Sequence, residues 1–96
     1  EYPLKNLSPL ARKDLIINRL AVLSPVTLEV IDESAAHVGH PGAQGGASHF
    51  AVIIVSSQFT GLSLIKRHQM IYHLLKDLIP HEIHALKINA RTPEET

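Results

Sequence analysis

The feature that most constrains the fold is an unbroken apolar run at residues 51–55, Ala-Val-Ile-Ile-Val. Five apolar residues are far too few to cross a membrane, because a spanning helix needs about 20. A short and continuous apolar run is instead typical of a strand inside a sheet. We therefore predict a central strand over residues 49–57, covered on much of both faces.

A helix and a strand precede this segment. Ser8 is a favoured helix N-cap and Pro9 is tolerated at the first helical position, so we predict a helix over residues 9–22. The side chains of residues 26–32 alternate between apolar and polar, which indicates a strand with one buried face. Residues 1–7, before the helix, are expected to be flexible.

Between the two strands, residues 33–48 form a predicted loop that holds four glycines, one proline and two histidines. A loop of this length in a small domain is usually functional or partly disordered. The strands on either side of it should pair antiparallel, as a hairpin with a long connection.

A second helix and a third strand follow. Ser63 caps the predicted helix, and Pro80 stops it. Its predicted apolar stripe consists of Leu64, Ile71, Leu74, Leu75 and Leu78. Residues 83–90 predict a strand, and the Thr-Pro-Glu-Glu of residues 92–95 has the form of a capping box that begins another helix.

The predicted order of elements is therefore α-β-β-α-β. A helix that joins the second and third strands should cross over right-handed, which leaves those strands parallel. The expected fold is a single α+β domain over residues 1–96, with a mixed three-stranded sheet and helices packed on one face.

Composition excludes several kinds of function. Nine basic and nine acidic residues give a net charge of zero, so no overall positive field draws the chain to nucleic acid or to an anionic membrane. The chain has no cysteine, which excludes disulfides, a thiol nucleophile, a thiolate zinc site and a self-sufficient cysteine-ligated iron–sulfur cluster. It also has no phosphate-binding loop, dinucleotide fingerprint or nucleophile elbow. We expect it not to be an enzyme, and we assign no catalytic residue.

Although the chain has no cysteine, it has seven histidines. His37 and His40 lie in the glycine-rich loop, His49 opens the second strand, and His84 lies near the start of the third. His84 has two readings: a histidine at the edge of the core, sharing a strand face with Leu86 and Ile88, or a metal ligand that faces the loop. A catalytic zinc site needs three protein ligands, for which the chain offers the imidazoles of His37, His40 and His84. Their spacing, however, matches no helical zinc motif.

A small basic cluster occupies the first turns of the second helix at Lys66, Arg67 and His68. Cations there oppose the helix dipole, which favours a role in contacting a partner or a phosphate. The alternative is a solvated helix face in which Arg67 pairs with an acid. Met70 and Tyr72 are expected in the core or at its edge.

Taken together, these segments resemble the BolA family from about residue 20 to residue 94. The residues that carry the resemblance are L-E-V-I-D-E-S-A-A-H at 28–37, S-H-F at 48–50, F-x-G-x-S-x-x-x-R-H-x-x-x-Y at 59–72, I-H-A-L at 83–86 and T-P-E-E at 92–95. Gln69 departs from the pattern, since the family commonly has Arg after the Arg-His pair, and this weakens the basic patch.

The resemblance implies a fold similar to a type II KH domain and a heterodimer with a monothiol glutaredoxin. In that complex a [2Fe–2S] cluster is shared: the partner's cysteine and a glutathione thiolate hold one part, and histidines of this chain hold the other. The implied ligands are His84 and His37, with His40 as the alternative loop ligand. No cluster is expected in the isolated chain.

The resemblance also implies a second possible role, that of a nucleic-acid-binding transcriptional regulator of the stress-response type. KH domains bind single strands through a GXXG loop, which Thr-Gly-Leu-Ser replaces at residues 60–63. For either role, the expected contacts with a partner or nucleic acid are Gly61, Ser63, Lys66, Arg67 and His68.

The compartment implied by the resemblance is the cytoplasm, or the matrix of a mitochondrion or other organelle if the source is eukaryotic. The chain begins with Glu1 rather than Met, which is consistent with a removed leader or tag. No membrane association is expected. The sequence does not decide whether the chain forms a homodimer or which proteins receive a cluster.

Overall fold

A computed structural model describes residues 8–33 and 48–96 of the chain. The predictions for residues 1–7, and those for the loop from residue 34 to residue 47, lie outside the described residues. The helices are α1 (Pro9–Leu20) and α2 (Leu64–Leu75), and the strands are β1 (Thr27–Asp32), β2 (His49–Val55) and β3 (Ala85–Arg91). Short 3-10 turns lie at Ala21–Leu23, Ser57–Phe59, Lys76–Leu78 and Pro93–Glu95.

The three strands form one mixed sheet in the order β1-β2-β3. Strand β2 pairs antiparallel with β1, where Val30 lies opposite Val52, and parallel with β3, where Val52 lies opposite Ile88. The predicted α-β-β-α-β order, the central position of β2 and the parallel pairing across α2 are thus confirmed.

The core lies between the sheet and the two helices, which pack on the same face. Alternate residues of β2 point into this layer, because successive side chains of a strand face opposite sides. The buried residues of β2, α1 and α2 that meet there are Phe50, Val52, Ile54, Ile16, Leu20, Ile71 and Leu75.

The second face of β2 is only half-covered. Ala51 and Ile53 alternate with the buried residues and keep part of their surface accessible. The prediction that β2 is covered on much of both faces is therefore correct for one face and wrong for the other. The reason is that both helices pack on the same side of the sheet.

Three further predictions change in detail. Leu64, predicted in the apolar stripe of α2, is 63% exposed, because at the first residue of the helix it borders a groove beside β3 instead of entering the core. Strand β3 begins at Ala85, two residues later than predicted. The helix predicted from residue 92 is a single 3-10 turn, although the capping box between Thr92 and Glu95 is present as expected.

None of the helices in residues 8–33 and 48–96 has the length and apolar character needed to cross a membrane.

Helix α2 offers a matched pair of isoleucines that tests this packing. Ile71 is fully buried, whereas Ile65 is 69% exposed on the same helix. We expect Ile71→Ala to lower the free energy of unfolding by about 2–5 kcal/mol, since it leaves a cavity in the core. Ile65→Ala should change it by no more than about 0.5–1 kcal/mol. Urea denaturation followed by circular dichroism measures both, and equal effects would contradict the assigned orientation of α2.

Candidate functional site

His84 lies exposed in a bend just before β3. Its backbone N–H donates to the carbonyl of Ser48 at 2.7 Å, and the N–H of Ala85 donates to the same carbonyl at 3.1 Å. The backbone of His84 is therefore fixed while its imidazole is open to solvent. The prediction that His84 shares a strand face with Leu86 and Ile88 is wrong, because β3 starts after it.

The two ends of the glycine-rich loop meet at this same end of the sheet. The N–H of Glu33 donates to the carbonyl of His49 at 2.7 Å, which extends the β1–β2 pairing by one residue. His37 follows Glu33 by four residues, so its Cα lies within roughly 14 Å of that of Glu33, even if the chain is fully extended. His37 and His40 themselves lie outside the described residues, so their predicted role as ligands stays a prediction.

A buried polar network holds the backbone to which His84 is hydrogen-bonded. The hydroxyl of Ser48 donates to the backbone carbonyl of Glu82, and both residues are buried. The carboxylate of Glu82 accepts a hydrogen bond from Nε of Arg12 at 2.8 Å, which connects α1 to this end of the sheet. A buried charge is tolerated when it is paired in this way. The sequence carries no clear signal for this network, because serine, glutamate and arginine are residue types that mostly lie at the surface.

A second histidine lies beside His84. The ring of His49 is half-buried at the start of β2, and its centroid is 6.3 Å from that of His84, with 30° between the ring planes. The pairing of His49 with Ala85 in the β2–β3 register explains this proximity. Sequence analysis gave His49 no role, because a register between parallel strands cannot be read from their spacing along the chain.

These histidines offer neutral nitrogen ligands at one rim of the sheet. Among residues 8–33 and 48–96, no three His, Asp or Glu side chains come together as a metal-binding group. The described part of the chain therefore brings together two imidazoles, to which the loop would have to add a third. Imidazole nitrogens suit zinc, copper and iron.

The predicted basic cluster on α2 is not one surface. Arg67 is only 6% exposed, and its side chain points inward, whereas Lys66 is exposed and His68 is half-buried. The guanidinium of Arg67 forms two hydrogen bonds with the carboxylate of Glu95, at 2.6 and 3.1 Å. The predicted pairing of Arg67 with an acid is therefore observed, but the predicted solvated position of Arg67 is wrong, because its side chain is buried.

Arg67 also binds the main chain. Its Nε donates to the carbonyl of Leu62 at 2.9 Å, and Nη1 donates to that of Ala90 at 3.1 Å. The helix periodicity contained a signal for this inward direction, because Arg67 precedes the buried Ile71 and Leu75 by four and eight residues. The hydrogen bond from Arg67 lowers the pKa of Glu95 from 4.5 to about 2.

The residues around Arg67 have folding roles of their own. Gly61 has φ +81°, a left-handed conformation that favours glycine, and this turn connects the buried Phe59 to α2. The hydroxyl of Ser63 accepts from the N–H of Lys66 at 3.2 Å and so caps the helix. Contacts of Gly61, Ser63, Lys66, Arg67 and His68 with a partner or nucleic acid stay predictions.

Comparison with known proteins gives a consistent result. Residues 20–95 match the family model described as BolA-like protein. The chain is 49% identical over 78 residues to SufE-like protein 1, chloroplastic/mitochondrial, of Arabidopsis thaliana, a match that covers 76% of this chain and 21% of that protein. It is 44% identical over 77 residues to the chloroplastic protein BOLA1 of the same plant, covering 77% of this chain and 48% of the relative. The chain thus matches about half of one relative and about a fifth of the other.

Solved structures agree with the sequence matches. The BolA domain of SufE1 from Arabidopsis thaliana superposes with a TM-score of 0.78 at 45% identity, covering 94% of this chain and 99% of that one. The solution structure of BolA1 from Mus musculus gives a TM-score of 0.73 at 32% identity, covering 99% and 74%. The similarity to a type II KH domain stays a prediction.

The Arg67–Glu95 pair predicts a pH dependence of stability. The pKa of Glu95 is about 2 in the folded chain, below its ordinary value of 4.5. Its ionised form therefore stabilises the fold above about pH 4.5, and this contribution is lost as the pH falls toward 2. We expect Glu95→Gln to lower the melting temperature at pH 7, with the difference from the wild type shrinking below pH 4.5.

Thermal unfolding from pH 7 to pH 2 measures this difference. Glu94→Gln is the matched control, since Glu94 is exposed in the same turn. A Glu95→Gln difference that stays constant down to pH 2 would contradict the role given to the carboxylate.

Proposed function

The chain belongs to the BolA-like family, and on that basis we propose that it is an adaptor for iron–sulfur cluster assembly and trafficking. In this role it binds a monothiol glutaredoxin as a heterodimer and shares a [2Fe–2S] cluster with it. The chain itself has no catalytic residue in this proposal and is not an enzyme. Its contribution is to present ligands to a cluster that the partner also holds.

The observation that carries the proposal is the setting of His84. Its imidazole is exposed, and its backbone is fixed by the carbonyl of Ser48 at 2.7 Å. A ligand held in this way is ready to meet a cluster carried by another protein, because little conformational freedom is lost on binding. The buried hydroxyl of Ser48 in turn donates to Glu82 and keeps the ligand-bearing segment in place.

The donor atoms of the chain fit a shared cluster better than a cluster of its own. With no cysteine, the chain cannot surround iron with thiolates, so these must come from the partner's cysteine and glutathione. The chain adds imidazoles, namely His84 with His37, or with His40 as the alternative loop ligand. Imidazole in place of thiolate raises the reduction potential of an iron–sulfur cluster.

The glycine-rich loop supports this division of ligands. Its first residue, Glu33, is bonded to His49 at the rim where His84 lies, so the loop begins at the proposed site. The flanking strands are thus in place before the partner arrives. Residues 34–47 therefore begin and end at the rim where the proposed cluster would be bound.

The compartment is proposed from relatives. SufE-like protein 1 is named chloroplastic/mitochondrial, and the related protein BOLA1 is named chloroplastic. We place this chain in an organelle matrix if its source is eukaryotic, and in the cytoplasm otherwise.

The alternative role, a nucleic-acid-binding transcriptional regulator, has less support from the arrangement of charges. Arg67 is bound to Glu95, Leu62 and Ala90, so a phosphate would have to compete with internal bonds for its guanidinium. The net charge of zero adds no general attraction to nucleic acid. The regulator role is therefore the less supported of the two roles.

Anaerobic reconstitution tests the proposal. The chain is mixed with a monothiol glutaredoxin, glutathione, iron and sulfide, and the product is followed by visible absorption and circular dichroism. We expect a heterodimer spectrum that differs from that of the glutaredoxin alone. His84→Ala should abolish that spectrum or accelerate cluster loss by roughly tenfold or more, because it removes a ligand.

The control is His81→Ala, which removes another exposed histidine three residues away and should leave the spectrum unchanged. His37→Ala and His40→Ala then identify the loop ligand. If no complex forms and the glutaredoxin spectrum persists, the adaptor role is wrong. Salt-dependent binding to specific nucleic-acid sites would then support the regulator role.

A further inference from the structure

We infer that His49 and His84 form a binding site for a divalent late transition-metal ion, such as Zn²⁺ or Cu²⁺, in the chain without its partner. This site is distinct from the shared cluster in composition, since it uses His49, and it holds one metal ion instead of a cluster. The two sites have His84 in common. The competition that follows from this shared ligand rests on the proposed function, whereas the metal site itself does not.

The imidazole rings of His49 and His84 lie close enough together to bind one metal ion after a small movement. Their centroids are 6.3 Å apart. With metal–nitrogen bonds of about 2.0–2.1 Å, two imidazoles bound at a tetrahedral angle hold their centroids roughly 5 Å apart. Chelation therefore requires side-chain rotations that bring the centroids about 1 Å closer and turn one nitrogen of each ring toward the ion, and side chains at a surface change rotamer readily.

The backbones of both histidines are held in place. Ser48 is the residue next to His49, and its carbonyl accepts from the N–H groups of His84 and Ala85. The peptide on the other side of His49 is also fixed, because its carbonyl accepts from the N–H of Glu33 at 2.7 Å. The main chain of both residues is therefore in place before a metal ion binds, which lowers the conformational cost of binding.

Buried hydrogen bonds support these backbones. The hydroxyl of Ser48 donates to the carbonyl of Glu82, and the carboxylate of Glu82 is paired with Arg12 at 2.8 Å. Sites that bind metals well have their ligands oriented by such a second layer of hydrogen bonds. Here that layer orients the main chain and joins α1 to the histidine-bearing rim.

The charges around the pair also permit a cation. Two ion pairs lie at this end of the sheet, and each is neutral overall: Arg12 with Glu82, and Lys87 with Glu33 at 3.2 Å. His84 is exposed and His49 is half-exposed, so a hydrated ion can approach both rings. Water completes the coordination. Two imidazoles without thiolate select zinc, copper or nickel over calcium and magnesium, which prefer oxygen ligands.

Sharing His84 makes the two sites mutually exclusive. An imidazole nitrogen that binds a metal ion is not available to the iron of a cluster. Metal bound at His49 and His84 should therefore delay cluster sharing with the glutaredoxin. His49→Ala separates the two functions, because it removes the metal site and keeps the proposed cluster ligand.

The first experiment uses the chain alone. Zn²⁺ is titrated by calorimetry, and Cu²⁺ is followed by electron paramagnetic resonance, which counts the bound nitrogens. We expect the wild type to bind one Cu²⁺ through two imidazoles at this site. His49→Ala and His84→Ala should each weaken binding at least tenfold, whereas His73→Ala, which removes an exposed histidine of α2, should not.

A double variant, His37→Ala with His40→Ala, is the decisive control. Retained binding in that variant supports the inference, whereas binding that is lost there and kept in His49→Ala overturns it. A wild type that binds neither Zn²⁺ nor Cu²⁺ overturns it as well. Substoichiometric Cu²⁺ should also broaden the NMR signals of the His49 and His84 rings first, a measurement that needs no variant.

The second experiment tests the competition. The chain is preloaded with Zn²⁺ and then mixed with cluster-loaded glutaredoxin. Slower formation of the heterodimer spectrum in the wild type, but not in His49→Ala, is the expected result. An equal delay in both proteins would overturn the competition. If the wild type forms no heterodimer cluster even without Zn²⁺, the proposed function fails while the metal titrations still decide the metal site.

Discussion

The buried guanidinium of Arg67 is the interaction on which one half of the fold depends. It reaches the carbonyls of Leu62 and Ala90 and the carboxylate of Glu95 from a single side chain. These groups belong to the turn before α2, the end of β3 and the final 3-10 turn, so one cation joins the start of α2 to groups 23 and 28 residues further along the chain. A lysine could not replace it, because its ammonium group lacks the planar array of donors.

The opposite end of the sheet has a different arrangement of buried and exposed polar groups. There Ser48 and Glu82 are buried and Arg12 is half-buried, whereas His84 is exposed and His49 is half-exposed. Removing one partner of a buried charge pair costs several kcal/mol, typically about 3–5. The network therefore resists rearrangement of the main chain at this rim when a ligand binds.

The order of elements could be predicted from local signals, and the sequence also singled out His84, whereas the residues that surround His84 could not be predicted. Ser8 and Ser63 mark the two helix starts because a serine hydroxyl satisfies an N–H group of the first turn, and both caps are present. The burial of Arg67 could also have been predicted, since Arg67 continues the apolar stripe that includes Ile71, but its charge suggested a solvated position. The proximity of His49 to His84 depends on the β2–β3 register, which the long crossover through α2 leaves open.

The absence of cysteine connects these findings with the proposed chemistry. A thiolate-rich site would hold a cluster tightly and would release it slowly, whereas neutral imidazoles bind iron without adding negative charge. A chain that supplies only imidazoles therefore depends on its partner for most of the binding energy of the cluster. In the proposed cluster site and in the inferred metal site, His84 is the shared ligand, so a metal ion held with His49 and a cluster held with a glutaredoxin would exclude each other.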